Sequence, residues 1–386
     1  MSDGTSALAS AAAASTAPVN SEMPFRWAAD VPSSFPPAFV AFLAANDVHP
    51  ANYETADVPR YVRLSPRAPA TLDAAALGAQ LGAACAPVAW LPGFFSLPAD
   101  VKIAGCDAYR RGHLYGVDAA SGAAVAALAP QPGDHVLDLC CAPGAKLCCL
   151  ADAMSLQGTL TGVDVSEERL AACRTLCLKY GIENARLVRA DGREFCEPPP
   201  ARVAEIVDGG GEASAPRAKR ARAERPGAFY EGAALRGAPT PAPAAGGYDK
   251  VLVDAECTHD GSIKHLAKFA QWGWDTFERR VMQPERLATL RALQSALLRN
   301  GFARLRPGGT LVYATCSFAR AQNEEVVEEL LRAEPSAALL PIRTLDGAPC
   351  RRGAFLPHTL RFEPRVSRTS ALFVARIGKR PHAEAE

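Results

Sequence analysis

The run "VYATCSF" (Val312–Phe318) places Cys316 where an apolar, strand-like stretch ends. "VLVDAEC" (Val251–Cys257) does the same for Asp254 and Cys257. A cysteine is a small hydrophobe that packs well, so burial alone would account for either thiol. A thiol at the rim of a sheet is also a nucleophile once ionised. Two thiols and a carboxylate leaving the same edge permit covalent addition by one sulfur, with proton transfer by its neighbours. Zinc would require more thiol or imidazole ligands; His259 is the nearby candidate, so zinc is kept as a minor option and no metal is expected.

A second group of residues sits at other strand ends. "VLDLCCAPGAK" (Val136–Lys146) joins a strand to a helix through Cys140, Cys141, Ala142, Pro143, Gly144, Ala145 and Lys146. A glycine-containing turn lets backbone approach a ligand, and a helix N-terminus offers unpaired N–H groups. The dinucleotide fingerprint G-x-G-x-x-G and the G-K-[ST] phosphate loop are both absent here. Asp164 ends the next strand, where a carboxylate can accept both ribose hydroxyls, and Asp191 ends the third, near where an adenine would lie. A loop followed by two acids on successive strand ends, with Asp254 on the fourth, suits an adenosine ligand without a pyrophosphate. S-adenosylmethionine is such a ligand.

These positions need strands with their helices packed alongside. "HVLDLC" (His135–Cys140), "TLTGVDV" (Thr159–Val165), "ARLVRAD" (Ala185–Asp191), "KVLVDA" (Lys250–Ala255) and "GTLVYATC" (Gly309–Cys316) read as successive apolar strands, and "ALFVARI" as another. Amphipathic stretches separate them. Ser166 is a helix N-cap with Glu167 and Glu168 in the first turn, Gly181 is a stop signal, and Pro284 opens a long helix carrying Leu287, Leu290, Leu293 and Leu297. Continuous apolar strands alternating with helices predict an α/β fold, a Rossmann-like doubly wound mixed sheet with its ligand beyond the carboxyl ends of the strands.

The 386 residues divide into a disordered Ala/Ser-rich tail (1–24), a small α+β domain (25–105), the α/β domain (106–379) and a short tail (380–386). A Pro-, Gly- and Ala-rich insertion at about 198–247 is expected to be a disordered loop. It carries the basic "PRAKRARAERP" (Pro216–Pro226), which reads as a nuclear-localisation or RNA-contacting patch or as a solubilising run. Net charge is +1, so binding to nucleic acid would have to use a local basic surface. Twelve cysteines are too sparse for a disulfide scaffold, and the adjacent pairs Cys140-Cys141 and Cys148-Cys149 favour free thiols in a reducing compartment. No apolar run reaches the length of a membrane span, so no membrane association is expected. The expected compartment is the nucleus or nucleolus, otherwise the cytoplasm.

From Asp107 to Lys379 the chain resembles the RsmB/Sun-type RNA cytosine-5 methyltransferases. "DLCCAPGAK" is similar to the family's D-x-C-A-A-P-G-G-K, "GVDVSEERL" to its second-strand motif with Arg169 following the acid, and "VYATCSFARAQNEEVV" to its T-C-S…Q-N-E-x-V-V. "LQSALLRNGFARLRPGG" is similar to the segment that precedes that strand. The family's second loop glycine is Ala145 here, its Pro-Cys-Ser-Gly is Glu256-Cys257-Thr258-His259, and "TSALF" replaces Asp-Gly-Phe-Phe. "LYGVDAASG" also stands in place of a Gln-containing stretch. A carboxylate next to Cys257 should disfavour its thiolate.

The resemblance implies methylation of cytosine C5 in RNA, tRNA or rRNA, by a monomer using S-adenosylmethionine. Cys316 would add to C6, Asp254, protonated or sharing a proton with N3, would stabilise charge on the pyrimidine, and Cys257 would assist release. Arg169 would join the cofactor site. Residues 25–101, Arg110, Arg111 and "FERRVMQPER" (Phe277–Arg286) are the candidate RNA contacts. A non-catalytic RNA-binding or assembly factor is the competing reading, motivated by Ala145 and Glu256. A small-molecule methyltransferase is a second, disfavoured because transfer to oxygen or nitrogen needs no covalent adduct.

Overall fold

The computed structural model describes residues 35–54, 58–200, 228–236, 246–262 and 277–381. The N-terminal tail and the basic cluster at 216–226 lie outside the described residues, as does most of the C-terminal tail. The chain separates into two compact units, residues 1–50 and 51–386. In the first, α1 (Pro37–Ala45) starts on a proline whose missing N–H costs the helix nothing at that position.

The second unit begins with a small antiparallel sheet in the order β2-β3-β1-β4, built from β1 (Arg60–Leu64), β2 (Ala86–Pro87), β3 (Phe94–Leu97) and β4 (Leu114–Gly116). Because β4 pairs with β1, this sheet draws on residues beyond 105. Helix α2 (Ala74–Leu81) is capped by Asp73, whose side chain accepts from Ala76 N at 2.8 Å, and α3 (Asp107–Arg110) leads into β4. Buried Asp152 ties the small sheet to the rest of the unit: Arg63 Nε and Tyr115 Oη donate to its Oδ2 at 3.2 and 2.8 Å.

Among the described residues the large sheet has ten strands. They are β5 (His135–Asp138), β6 (Thr159–Asp164), β7 (Ala185–Arg189), β8 (Ala228–Glu231), β9 (Tyr248–Asp254), β10 (Leu305–Thr315), β11 (Ala337–Leu340), β12 (Arg351–Arg352), β13 (Leu360–Phe362) and β14 (Leu372–Lys379). The order is β12-β13-β14-β10-β9-β5-β6-β7-β8, with β11 also on β14. The five central strands, β10 to β7, are parallel, and both flanks are antiparallel. The chain winds outward from β5 through β6 and β7, then returns to the other side of β5 with β9 and β10. The topological switch therefore falls between β5 and β9, where open α/β sheets hold their ligands.

Side chains alternate across the sheet as the two-residue repeat of a strand requires. Val136 and Leu252 enter the layer with α4 (Ala119–Leu128), α5 (Ala145–Ala153) and α6 (Glu167–Lys179). Leu137, Val251 and Val253 enter the layer with α7 (Pro284–Arg304) and α8 (Glu324–Ala333). A last short helix, α9 (Pro364–Ser367), precedes β14. The expected Rossmann-like doubly wound mixed sheet is present, and no helix among the described residues is long and apolar enough to cross a membrane.

The insertion departs from its expected disorder at Ala228–Glu231, which forms β8 on the outer edge of β7. Strand β7 would otherwise end the sheet with unpaired backbone groups. Phe229 and Tyr230 pack against the core, and Leu235 beyond them is buried. Deletion of residues 203–227 should therefore leave the melting temperature and cofactor affinity within error of the intact chain, since shortening a loop costs little. Extending the deletion to 245 removes β8 and should lower the melting temperature by several degrees in a thermal scan.

Candidate active site

The loop after β5 turns on Gly144, whose φ is 108°. A Cβ there would stand 3.2 Å from Cys173 Cα and 3.1 Å from Leu176 Cδ1, both on α6, so glycine is required twice over. Ala145 is the first residue of α5, where a methyl group is tolerated. The position that needs freedom is the glycine that is kept.

Strand β5 ends at Asp138 rather than Cys140, which puts both cysteines in the turn. Asp138 is buried, and its Oδ2 has no hydrogen-bond partner among the described residues. Burial, and then the charge of Asp254, push its carboxyl up to about 7. Such a group binds a proton on folding and gives it up as pH rises. It is therefore neutral to stability at low pH and destabilising from about pH 4 upward, fully so above pH 7. Asp138→Asn should raise stability at pH 8 by on the order of 2–4 kcal/mol, a gain that shrinks toward pH 5, as denaturant unfolding at the two pH values will show.

Lys146, next to it, extends from α5 to Asp254 at the end of β9, with Nζ 2.6 Å from Oδ2. Burial lowers the Lys146 amine, but the charge and hydrogen bond of Asp254 outweigh it and the net shift is upward. Asp254, expected to carry or share a proton, is ion-paired with Lys146 through Oδ2.

At the end of β6, Asp164 Oδ1 accepts from Ser166 N at 2.9 Å. Arg169 stands 3.4 Å from Asp164 Oδ2 and donates to Ala142 O at 2.7 Å, linking the second strand's acid to the loop after the first. At the end of β7, Asp191 is gripped by Arg193, whose Nε lies 3.0 Å from both carboxylate oxygens. Hydrogen bonding from Arg193 holds the Asp191 carboxyl below its usual range. Asp191 thus reaches the edge of the site as a partnered acid.

The two cysteines meet. Cys257 Sγ and Cys316 Sγ are 3.2 Å apart, and His259 Nδ1 lies 2.9 Å from Cys316 Sγ and 3.7 Å from Cys257 Sγ. These are hydrogen-bond contacts. All twelve cysteines are free thiols. Cys257 is buried, and its thiol is pushed well up by the hydrogen bond to Cys316 and then by burial. The adjacent Glu256 side chain, expected to disfavour that thiolate, is exposed instead.

A clamp of buried polar residues fixes the two loops against each other. Asp260 Oδ1 accepts from Ser317 Oγ at 2.6 Å and from Thr258 Oγ1, and its Oδ2 accepts from Phe318 N at 2.7 Å. Gln322 Oε1 accepts from Thr258 N at 3.1 Å while its Nε2 donates to Thr258 Oγ1 at 2.8 Å. Asn323 accepts from Thr315 Oγ1 at 2.5 Å and donates to Ser317 O at 2.8 Å. Gly261 completes the approach: a Cβ there would lie 2.7 Å from Cys316 O. Asp138, His259 as a partner of Cys316, and Asp260 were not singled out by sequence reasoning. The Gln-Asn-Glu spacing after Thr-Cys-Ser was the available signal for the clamp.

A family profile described as 16S rRNA methyltransferase RsmB/F matches residues 125–207 and 237–378, more than half of the chain. The chain belongs to the RsmB/F family. Among its RsmB/F-type relatives is the ribosomal RNA small subunit methyltransferase F of Klebsiella pneumoniae, 29% identical over 366 residues, 89% of this chain and 64% of the relative. The small subunit methyltransferase B of Salmonella arizonae is 28% identical across 68% of this chain and 44% of its own length. The chain therefore spans between about half and two thirds of these relatives. A tRNA (cytosine(49)-C(5))-methyltransferase of Pyrococcus abyssi is 26% identical over 76% of this chain and 79% of its own. Among solved structures, NSun6 from Pyrococcus horikoshii, determined with SFG, superposes with a TM-score of 0.64 at 15% identity, covering 91% of this chain and 98% of that one. A methyltransferase homolog from the same organism gives 0.62 at 24%, covering 90% and 96%. At these identities the likeness shows the fold alone.

Proposed function

We propose that this RsmB/F-family chain transfers a methyl group from S-adenosylmethionine to C5 of cytosine in RNA, through a covalent adduct on Cys316. The observation that carries the reading is the thiol pair Cys257 and Cys316, 3.2 Å apart at the carboxyl edge of the sheet, beside the Lys146–Asp254 ion pair. Relatives named for ribosomal RNA and for tRNA cytosine methylation support it.

The residues fit the cofactor at the switch point. Asp138 Oδ2 is a buried carboxyl oxygen with no partner among the described residues, so it calls for a donor such as an ammonium group. Gly144 keeps the loop backbone close, Asp164 offers its carboxylate to the ribose, and Cys140 to Lys146 line the approach. Asp191, paired with Arg193, stands beyond the end of the third strand, on the side expected for the adenine. The bound cofactor supplies an electrophilic methyl group.

The chain's own work is to make C5 a nucleophile. The Cys316 thiolate adds to C6, and the C5–C6 π electrons become available at C5. Lys146, held charged against Asp254, compensates the negative charge that builds on the ring. Afterwards the C5 proton leaves to a base, the C5–C6 double bond re-forms, and the C6–S bond breaks to return the thiolate. Cys257 is the nearest sulfur for that proton: once Cys316 is a thioether, the Cys257 proton passes to solvent and the resulting thiolate takes the proton from C5. The hydrogen bond that raises the Cys257 thiol belongs to free Cys316, and is altered once Cys316 has become a thioether. Ala145 and Glu256, the departures that favoured a non-catalytic reading, do not obstruct this arrangement: one opens a helix and the other faces solvent. Arg110 and Arg111 are exposed, as are Arg279 and Arg286 in the described part of the basic segment, and they are the proposed RNA contacts.

The test is methyl transfer from labelled cofactor to rRNA and tRNA transcripts, with the product identified as 5-methylcytosine after nuclease digestion. Asp164→Ala should weaken cofactor binding by about ten- to a hundredfold in calorimetry, the loss of a charge-assisted acceptor. No label in either RNA overturns the reading.

A further inference from the structure

We propose that His259 is the base that ionises Cys316. This rests on the nucleophile assigned above and adds a residue to it. The family pattern has glycine where this chain has His259, and the backbone there keeps a φ of 55°, a conformation glycine adopts freely and L-residues rarely do. The substitution thus kept the turn and placed an imidazole on it. The ring points at the reacting sulfur: Nδ1 is 2.9 Å from Cys316 Sγ, nearer than the 3.7 Å to Cys257.

With the ring proton on Nε2, Nδ1 takes the proton from the Cys316 S–H. The S–H bonding pair stays on sulfur as the thiolate that adds to C6, and the ring becomes imidazolium. When the adduct collapses, the C6–S pair returns to Cys316, which takes its proton back from the imidazolium, so both residues end as they began. The surroundings support a charged ring. Asp260 and Glu256 lie within electrostatic reach of the ring and favour its charged form. Lys146, within electrostatic reach of Cys316 and ion-paired with Asp254, further favours the thiolate. Before the adduct forms Cys257 keeps its proton, since the hydrogen bond to free Cys316 and then burial raise its thiol. The two thiols therefore differ in their surroundings: Cys316 has His259 Nδ1 at 2.9 Å, whereas Cys257 is buried with the same nitrogen 3.7 Å away.

The experiment follows alkylation of Cys316 by iodoacetamide against pH in the full chain, quantified by mass spectrometry of its peptide, in parallel with methyl transfer. His259→Asn and His259→Gly are both used, because either residue accepts the left-handed backbone and neither is a base. The parent chain's profile gives the reference midpoint for Cys316. Both variants should move it up by about one unit or more, with alkylation at pH 6.5 slowed about tenfold. Methyl transfer should drop by a similar factor at pH 6.5 and recover toward the parent rate at pH 9, where solvent ionises the thiol unaided. An unchanged alkylation midpoint in both variants overturns the proposal, as does a loss of methyl transfer that is the same at every pH. A Cys316→Ser chain that still methylates RNA overturns the nucleophile assignment instead, and the alkylation profiles of the histidine variants still report on the dyad.

Discussion

A Cys257→Ala chain incubated with RNA and S-adenosylmethionine will run on a denaturing gel as a protein–RNA species of raised mass, and a Cys316→Ala chain will not. The difference follows from which bond each thiol governs. Cys316 makes the C6–S bond, so without it C5 stays unactivated and methylation should fall by about four orders of magnitude, below detection in most assays. Cys257 acts after methyl transfer. Without it the C5 proton has no nearby sulfur to receive it, the C6–S bond persists, and the RNA stays attached. The double variant should lose the band. Neither effect is a folding artefact: Cys316 is half-buried and Cys257 fully so, and deleting one buried sulfur costs about 1 kcal/mol. A band in Cys316→Ala that depends on Cys257 would reverse the roles. Slow turnover without a trapped band in Cys257→Ala would pass the proton-accepting role to another group, with His259 and Glu256 the candidates on the same loop.

The parallel strands were legible because they are apolar on both faces, bounded by turn residues and followed by helices with caps, as at Ser166 and Pro284. Helix α4 was not. Its sequence, Ala119–Leu128, is small and apolar on every side, and nearly all of it is buried, so no polar stripe marks its period. Strand β8 was hidden by composition: four residues inside a Pro- and Gly-rich insertion carry little local signal, and the open edge of β7 decides their conformation. The site divides in the same way. Thr-Cys-Ser, the Pro-Gly loop and the strand-end acids could be picked out because each sits at a recognisable junction. The 3.2 Å contact between Cys257 and Cys316 joins residues 59 apart in the chain, and only the pairing of β9 with β10 brings it about. The tertiary context also supplies partners to two of the acids. Asp191 meets Arg193 two residues along, and Asp254 meets Lys146 from across the sheet.

Removing either member of the Glu324–Arg361 pair should destabilise the chain by about 3–5 kcal/mol, because it strands a charge where water cannot reach it. Glu324, in the first turn of α8, belongs to the Gln-Asn-Glu run that follows Cys316; Arg361 lies on β13. Their side chains are 1% and 3% exposed. Arg361 Nε and Nη2 grip the two carboxylate oxygens at 2.8 and 2.6 Å, and Nη1 donates to Phe318 O at 3.1 Å. That carbonyl lies two residues beyond Cys316, so the pair braces the loop that holds the nucleophile. The expected outcome in urea unfolding is a large loss for Arg361→Met and for Glu324→Leu singly. The double variant should recover most of it, since two apolar side chains of similar volume leave no buried charge. The losses should change little between low and high salt, because buried charges are poorly screened. Single variants that lose less than about 1 kcal/mol would mean the pair is solvated and contributes as a surface bridge does. Recovery of stability in the double variant without recovery of methyl transfer would separate the two tasks. The burial of this part of the fold would then be satisfied by any well-packed pair, while the position of the Cys316 loop would depend on the hydrogen bond from Arg361 to Phe318.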